Sequence, residues 1–335
     1  MMIDRIGRRE FITLLGGAAA VAWPLAARAQ QAERMRHIGV LMAVAADDPE
    51  GQARIAAFLQ GLQQSGWAVG HNVRIDTRWG AGDADRMRRY AAELVSLAPD
   101  VILASGGTVA GVLLQATRTV PIVFTQTSDP VGAGYVASLA RPGGNATGFT
   151  ISEYGISTKW LELLKEIAPR VTRAAVLRDA TVPQGIGQFA AMQAVAPSIR
   201  VEVSPIDVRD AGEIERAVMA FARGENGGLI VTGSALTVLH RELIITLAAR
   251  HRLPAVYWNR FYVTGGGLIS YGVDSIAPHR QAAGYVDRIL KGAKPADLPV
   301  QAPTRYQTVL NRKTAKALGL AIPQAVLLRA DEVIQ

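Results

Sequence analysis

The chain has 335 residues, 49% of them hydrophobic and only 19% charged, which excludes a disordered protein and gives enough core for about two domains. The formal net charge is +8, but Lys and Arg are scattered without interleaved stacking aromatics, which favours a solvated basic surface over a nucleic-acid partner. Cysteine is absent, which excludes disulfides, a thiol nucleophile, a cysteine metal site and a lipid-acylated cysteine anchor.

Residues 1–29 are predicted to be an export signal cleaved after Ala29, which implies a periplasmic protein. Charged residues precede an apolar run at Phe11–Ala22 of about 12 residues, shorter than the roughly 20 that a spanning helix needs. The segment Arg8–Ile12 resembles a twin-arginine signal, although Gly7 stands where Ser or Thr is usual, so general secretory export remains open. A membrane anchor is the alternative. No later segment is apolar enough to span, so no stable membrane insertion is expected after cleavage.

From His37 onward, short β-branched runs alternate with longer amphipathic runs, which is typical of βαβ units and a parallel sheet. In the first half the predicted strands are Ile38–Met42, Val73–Arg78, Asp100–Ala104 and Pro121–Thr125, and the predicted helices are Pro49–Ser65, Ala84–Leu97 and Thr108–Thr117. In the second half the predicted helices are Thr158–Ile167, Gly187–Val195, Ala211–Ala222 and Val238–His251, and the predicted strands are Ala174–Leu177, Val201–Ser204, Leu229–Val231 and Ala255–Trp258.

Two stretches look like copies of one unit, in which a buried strand ends in small polar residues and a helix follows. They are Val101–Gly106 and Leu229–Ser234, each followed by a Pro that opens the next strand. The predicted fold class is therefore α/β, with two doubly wound parallel-sheet lobes and a central cleft. The predicted lobes are 37–148 plus 273–300 and 149–272 plus 301–335, with crossings near Thr147–Phe149, near Ser270–Val273 and before Tyr306–Leu310.

Six runs, in order along the chain, resemble one known family. They are Arg9–Gly17, Asp129–Gly134, Leu139–Gly148, Gly266–Gly272, Ile289–Pro299 and Asn311–Leu320. The family is the bacterial ABC-transporter substrate-binding proteins of type I periplasmic-binding fold, in the group with tryptophan- and phenylalanine-binding members. The resemblance implies capture of a small-molecule ligand, an amino acid or an aromatic or organic acid, with an ABC permease and its ATPase as partners. A freely diffusing monomer is the default expectation.

In the first lobe, the strand-to-helix turn at Ser105, Gly106, Gly107 and Thr108 offers backbone N–H groups and hydroxyls to a ligand carboxylate. The alternative is an ordinary turn capped by Thr108. After the next strand, Thr127, Ser128 and Asp129 are candidates for binding a ligand ammonium, and Asp129 has the alternative role of a turn acceptor. Ala45 follows the first strand and is a further candidate for the wall of the cleft.

The second lobe is expected to contribute Asp179, Gly233, Ser234, Trp258 and Asn259, which follow three of its strands. Trp258 offers an apolar wall and Asn259 both a donor and an acceptor, while core packing is the alternative for the aromatic residue. Tyr271 precedes Gly272 at an expected hinge, where it either reaches the ligand or has a purely structural role.

Catalysis is not predicted. The five histidines have no metal-ligand spacing and none belongs to a nucleophile motif, so no catalytic residue, metal site or cofactor is expected. An exported hydrolase or isomerase that pairs Glu153, Asp179 and Asp274 as acid and base is one alternative. A sensor that binds a ligand and docks on a membrane receptor is the other.

Overall fold

The protein is described by a computed structural model that covers residues 35–152, 154–179 and 182–335. The predicted export signal at 1–29 and the candidate acid Glu153 lie outside the described residues. Among the described residues, no helix has the length and apolar character needed to cross a membrane.

The first sheet has five parallel strands in the order β2-β1-β3-β4-β5. The strands are β1 Arg36–Met42, β2 Val73–Trp79, β3 Val101–Ser105, β4 Ile122–Ser128 and β5 Ala146–Ser152. Every residue of β3 and β4 is buried, because helices cover both faces of the sheet. The connecting helices are α1 Pro49–Gln64, α2 Ala84–Ser96 and α3 Gly107–Ala116, and the side chains of Asp48 and Asp83 cap the first two.

The second sheet has seven strands in the order β12-β11-β10-β9-β8-β6-β7, parallel except for the antiparallel pair β10 and β11. The strands are β6 Arg173–Asp179, β7 Glu202–Val208, β8 Gly227–Val231, β9 Ala255–Tyr257, β10 Ile269–Gly272, β11 Gln307–Asn311 and β12 Glu332–Ile334. The helices are α4 Ile156–Ile167, α5 Pro183–Val195, α6 Ala211–Phe221, α7 Ala235–Leu239, α8 Arg241–Arg250, α9 Arg260–Thr264, α10 Ala277–Leu290, α11 Arg312–Ala317 and α12 Gln324–Arg329.

The two sheets repeat one strand order. The segment β7-β6-β8-β9-β10 of the second sheet matches β2-β1-β3-β4-β5 of the first, so the prediction of two parallel-sheet lobes is confirmed. The order reverses between β1 and β3 in one lobe and between β6 and β8 in the other. In open parallel sheets, ligands bind beyond the carboxyl ends of the strands at this reversal.

The first predicted crossing falls inside a strand, the second lies at the end of one, and the third precedes β11 as expected. Thr147–Phe149 lies inside β5, which continues to Ser152 in the first sheet, and Ser270–Gly272 lies inside β10. Gly148 has φ +154°, and an added Cβ there would overlap the Phe124 backbone, so the glycine permits a close approach of β4 and β5. The segment predicted as a crossing is thus part of an irregular strand pair.

Helix α10 follows β10 but packs on the first lobe, against α1 and the strands β3 and β4. An added Cβ on Gly61 would lie 2.7 Å from the Cβ of Ala283, so small residues let α1 and α10 cross closely. This helix places His279 beneath the carboxyl ends of β3 and β4. The predicted helix Val238–His251 is two helices, α7 and α8, which meet at His240.

Candidate ligand-binding site

A cavity of about 60 Å³ lies between the two lobes, at both of the points where the strand order reverses. The first lobe contributes Ala43 and Val44 after β1 and Ser105–Thr108 after β3, and the second contributes Val182 after β6 and Gly233 and Ser234 after β8. This volume holds a few water molecules and is well below the roughly 300 Å³ of the smaller ligand pockets. The lobes are therefore close together, and a ligand the size of an amino acid enters the space between them only when they open.

The wall from the first lobe is the turn between β3 and α3. Ser105, Gly106, Gly107 and Thr108, all predicted from the sequence, line the cavity. Gly106 has φ +128° and ψ 143°, and no side chain caps the helix that it precedes. The ten-residue helix α3 therefore begins at the cavity with the N–H groups of its first turn free of a side-chain cap.

The wall from the second lobe is built around Trp258. Its indole lies across Gly233, where an added Cβ would come within 3.1 Å of the ring, and it meets the Phe261 ring edge-on with centroids 5.5 Å apart. Ser234 lines the cavity and also caps α7, since its Oγ accepts the N–H of Thr237 at 3.1 Å. Gly233, Ser234 and Trp258, also predicted from the sequence, thus lie in one wall.

An ion pair joins the two lobes at the edge of the cleft. Arg241 of α8 donates from Nη1 to Oδ2 of Asp48 at 2.5 Å, while Oδ1 of Asp48 accepts the N–H of Gly51 at 3.0 Å. The same carboxylate therefore caps α1 and holds the opposite lobe.

The model for the family described as "ABC transporter substrate binding protein" matches residues 37–334. This chain belongs to that family. Its fold and its role as a solute-binding protein follow from this match, and the type I periplasmic-binding architecture predicted from the sequence is confirmed.

Relatives of this substrate-binding protein are similar over most of their length. A tyrosine-binding protein from Clostridioides difficile (strain R20291) is 26% identical over 288 residues, which cover 86% of this chain and 82% of the relative. The crystal structure of a conserved domain protein from Vibrio cholerae O1 biovar eltor has a TM-score of 0.84 at 28% identity and covers 90% of this chain and 100% of its own. An ABC domain from Streptococcus pneumonia in complex with L-Trp has a TM-score of 0.83 at 26% identity, and the match covers 89% of this chain and 99% of that domain.

A buried histidine supports the first wall of the substrate-binding protein's cleft. Nδ1 of His279 lies 2.9 Å from the carbonyl oxygen of Ser275, which can only accept, so Nδ1 is the protonated nitrogen. Nε2 then has one lone pair to accept with, and Oγ of Ser105 and Oγ1 of Thr125 each lie 2.9 Å from it. Ser105 and Thr125 thus compete for one acceptor, and His279 holds the hydroxyl of Ser105 at the wall of the cavity.

The same environment makes His279 a weak base. Burial, and next the nearby charge of Arg54, lower the pKa of His279 to about 3, while the hydrogen bond to Ser275 opposes the shift. Activation of Ser105 as a nucleophile would require His279 to take its proton near neutral pH. Although a Ser–His contact is present, it is better suited to fixing the hydroxyl than to catalysis.

The pKa of His279 also predicts how stability depends on pH. Because the native pKa lies below the ordinary value of 6.5, the native protein binds fewer protons than the unfolded chain, so stability is lost as the pH falls from about 6.5 toward 3. One such proton corresponds to about 1.4 kcal/mol per pH unit. We expect His279→Gln to reduce the slope of the free energy of unfolding between pH 6.5 and 4.5 by about this amount in urea titrations. The exposed His71→Gln is the control, and equal slopes for wild type and His279→Gln would contradict the prediction.

The ion pair between Asp48 and Arg241 is expected to favour the closed state of the substrate-binding protein. Its partners lie on different lobes and are partly buried, with side chains 9% and 21% exposed, so separation of the lobes breaks it. We expect Arg241→Ala to make the free energy of lobe closure less favourable by about 1 kcal/mol and therefore to weaken ligand binding about fivefold in calorimetry. Arg260→Ala is the control, because it removes an ion pair with Glu332 inside the second lobe. Equal dissociation constants for Arg241→Ala and wild type would contradict the role.

Several predicted residues of the first lobe lie outside the cavity. Asp129 borders a different hollow with Tyr154, and its Oδ1 accepts the N–H of Gly132 at 2.9 Å, which is a turn contact. Thr127 is buried and donates to the carbonyl of Thr125 at 3.3 Å. Ser128 is also buried, and Ala45 follows β1 with its carbonyl accepting the N–H of Asp48 at 3.2 Å. Thr127 lies beside Gly107, but none of this group lines the cavity with Ser105–Thr108.

Three predicted residues of the second lobe also do not line the cavity. Asn259 is buried beside Trp258, where its Oδ1 accepts the N–H of Phe261 at 3.2 Å and caps α9. Tyr271 borders a hollow on the second lobe, with its ring stacked on Tyr306 at 5.6 Å between centroids. Asp179 is buried at the end of β6.

Three polar residues of the cavity were not predicted from the sequence, namely Arg54, Gln126 and Gln184. Arg54 lies on the buried face of α1, in line with Gly51, Ile55 and Phe58, so a charged residue at helical spacing within an apolar face was the available signal. Gln126 has φ +55° and donates from Nε2 to the carbonyl of Ser275 at 3.0 Å. Within the described ranges, no group of three or more His, Cys, Asp or Glu side chains is placed to hold a metal ion.

Proposed function

We propose that this chain is the substrate-binding component of an ABC importer. It captures an amino acid, with a preference for aromatic ones, in the cavity between its lobes and releases it unchanged. The supporting observation is the position of the cavity, where the reversal points of both sheets meet. Ligands named for the relatives, L-Trp for one and tyrosine for the other, are of the size and kind that an indole wall favours.

We further propose that residues 1–29 direct export, by the twin-arginine route, to the periplasm, where the mature chain acts as a monomer. Its partners would be a permease and an ATPase. The lobes are proposed as 37–148 plus 273–300 and 149–272 plus 301–335, with the first boundary moved to the end of β5 at Ser152, so that three connections form the hinge. A hinge of this kind lets ligand binding and lobe closure be one event, which the permease can recognise.

A binding role without catalysis is supported by the chemistry of the walls. The cavity offers backbone N–H groups, a fixed serine hydroxyl, an arginine and an indole, all of which can hold a ligand. Its histidine neighbour is a poor general base at neutral pH, since burial lowers the pKa of His279 to about 3.

The test is a thermal-shift screen of residues 30–335 with the twenty L-amino acids, followed by calorimetry. We expect at least one aromatic amino acid to raise the melting temperature by several degrees, since a ligand at 100 times its dissociation constant stabilises the native state by about 2.7 kcal/mol. Absence of any shift, with turnover of one of these solutes, would favour an enzyme instead. Neighbouring genes for a permease and an ATPase are expected, and a neighbouring receptor gene would favour sensing.

A further inference from the structure

The guanidinium of Arg54 is buried in the wall of the cavity with one of its donors unpaired. The residue is 4% exposed, and Nη2 lies 3.4 Å from Oε1 of Glu50, a long contact for an ion pair. The same Glu50 oxygen also accepts from Oγ of Ser275. Nε of Arg54 is buried and has no hydrogen-bond partner in the described part of the chain.

An unpaired buried donor on a charged group is costly, and such groups in native proteins require an explanation. Burial lowers the pKa of Arg54, and the nearby carboxylates of Glu50 and Asp48 only partly oppose this effect. An anion in the cavity would supply the missing partner. Arginine is suited to this task because its planar donors match the geometry of a carboxylate.

A second feature of the same cavity also favours a negative group. Helix α3 begins there with no side-chain cap and with no acidic residue in its first turn, so its N–H groups at Gly107 and Thr108 face the cavity unneutralised. No Asp or Glu is among the described residues that line this cavity, and Asp129 borders a different hollow.

We propose that the ligand is recognised chiefly by a carboxylate, which binds Arg54 and the N-terminus of α3, while its ammonium contributes little. This inference rests on the proposed function and specifies the ligand class of that same site. The ammonium meets no carboxylate among the described residues that line the cavity, only neutral acceptors such as Oγ of Ser105. The ring of the ligand lies against Trp258. The sequence suggested a site with one group for the ligand carboxylate and a second, charged group for its ammonium. In this proposal the site has a charged partner for the carboxylate only.

The first arm of the test needs no variant. Calorimetry compares L-tryptophan with indole-3-propionate, which keeps the carboxylate but lacks the ammonium, and with tryptamine, which keeps the ammonium but lacks the carboxylate. We expect indole-3-propionate to bind within about tenfold of L-tryptophan, and tryptamine to bind more than about a hundredfold more weakly. Tryptamine binding as tightly as L-tryptophan would overturn the proposal.

The second arm uses Arg54→Gln and Arg54→Lys. We expect Arg54→Gln to weaken L-tryptophan and indole-3-propionate by about a hundredfold and to leave tryptamine unchanged, with Arg54→Lys between wild type and Arg54→Gln. The control is Arg178→Gln, because Arg178 pairs with Asp207 at 2.5 Å and does not line the cavity. Circular dichroism establishes whether each variant is folded. If Arg54→Gln does not fold, the comparison of the three ligands on the wild-type protein tests the proposal by itself.

The outcomes separate this inference from the proposed function. Binding of L-tryptophan that is unchanged in a folded Arg54→Gln overturns the carboxylate anchor and leaves amino-acid capture standing. If the screen yields only solutes without an acidic group, the anchor is also wrong while solute binding remains. If no solute binds, both are wrong.

Discussion

Gly106→Ala is expected to destabilise the protein by about 2 to 4 kcal/mol and to weaken ligand binding by more than tenfold. Gly106 adopts φ +128° and ψ 143°, a conformation that costs other residues about 1 to 3 kcal/mol. An added Cβ would also lie 2.9 Å from the Cβ of Ala43, at the end of the neighbouring strand β1. Relief of this contact separates the ends of β1 and β3 and tilts the N-terminus of α3, so the wall of the cavity is changed.

The measurement is a urea titration together with calorimetry on the same preparation. Gly134→Ala is the matched control, because Gly134 also has a positive φ, +71°, but an added Cβ there has no atom within 4 Å. We expect the control to lose about 1 kcal/mol from backbone strain alone and to bind ligand as wild type does. Gly106→Ala with the stability and affinity of Gly134→Ala would show that this turn does not shape the site.

Gly272→Ala is expected to have the largest effect on stability, a loss of about 3 kcal/mol or more. An added Cβ would overlap the carbonyl oxygen of Trp258, which is backbone and cannot move aside as a side chain can. To relieve this overlap, β10 must shift relative to the segment after β9. That segment contains Trp258, which forms part of the cavity wall. We therefore expect loss of stability with a change in tryptophan fluorescence.

Gly284→Ala is the control for this prediction. Gly284 lies inside helix α10, an added Cβ there has no atom within 4 Å, and alanine is favoured over glycine in a helix by up to about 1 kcal/mol. The control should be as stable as wild type or slightly more stable. A Gly272→Ala protein with an unchanged melting temperature would contradict the close approach of the two segments.

Most of the architecture could be predicted because both sheets are buried on both faces. Runs such as Val101–Ala104 and Leu229–Val231 are uniformly apolar, and the small polar residues after them marked the ends of β3 and β8, which are equivalent strands of the two lobes. Helix α10 was not predicted, because part of its buried face consists of small or polar residues, namely Ala282, Ala283 and His279. Small residues there allow a close crossing with α1, so the face lacks the run of large apolar side chains that marks a buried helix.

The site was predicted where it depends on strand ends and missed where it depends on distant contacts. Ser105 is the last residue of β3 and Gly233 lies two residues after β8, so position in the sheet was sufficient. His279 meets Ser105 across 174 residues of sequence, which no local pattern indicates. Gln126 and Asp129 both have positive φ, +55° and +41°, and this irregular end of β4 turns Gln126 rather than Asp129 toward the cavity.

The central claim is that the facing ends of the two sheets hold the ligand, and a crystal structure with the amino acid selected in the screen tests it most directly. The account predicts that the ligand lies between Ser105–Thr108 and Gly233–Ser234, with its side chain against Trp258. A ligand bound instead in the hollow beside Tyr271 and Tyr306, with the space between the lobes empty, would contradict it.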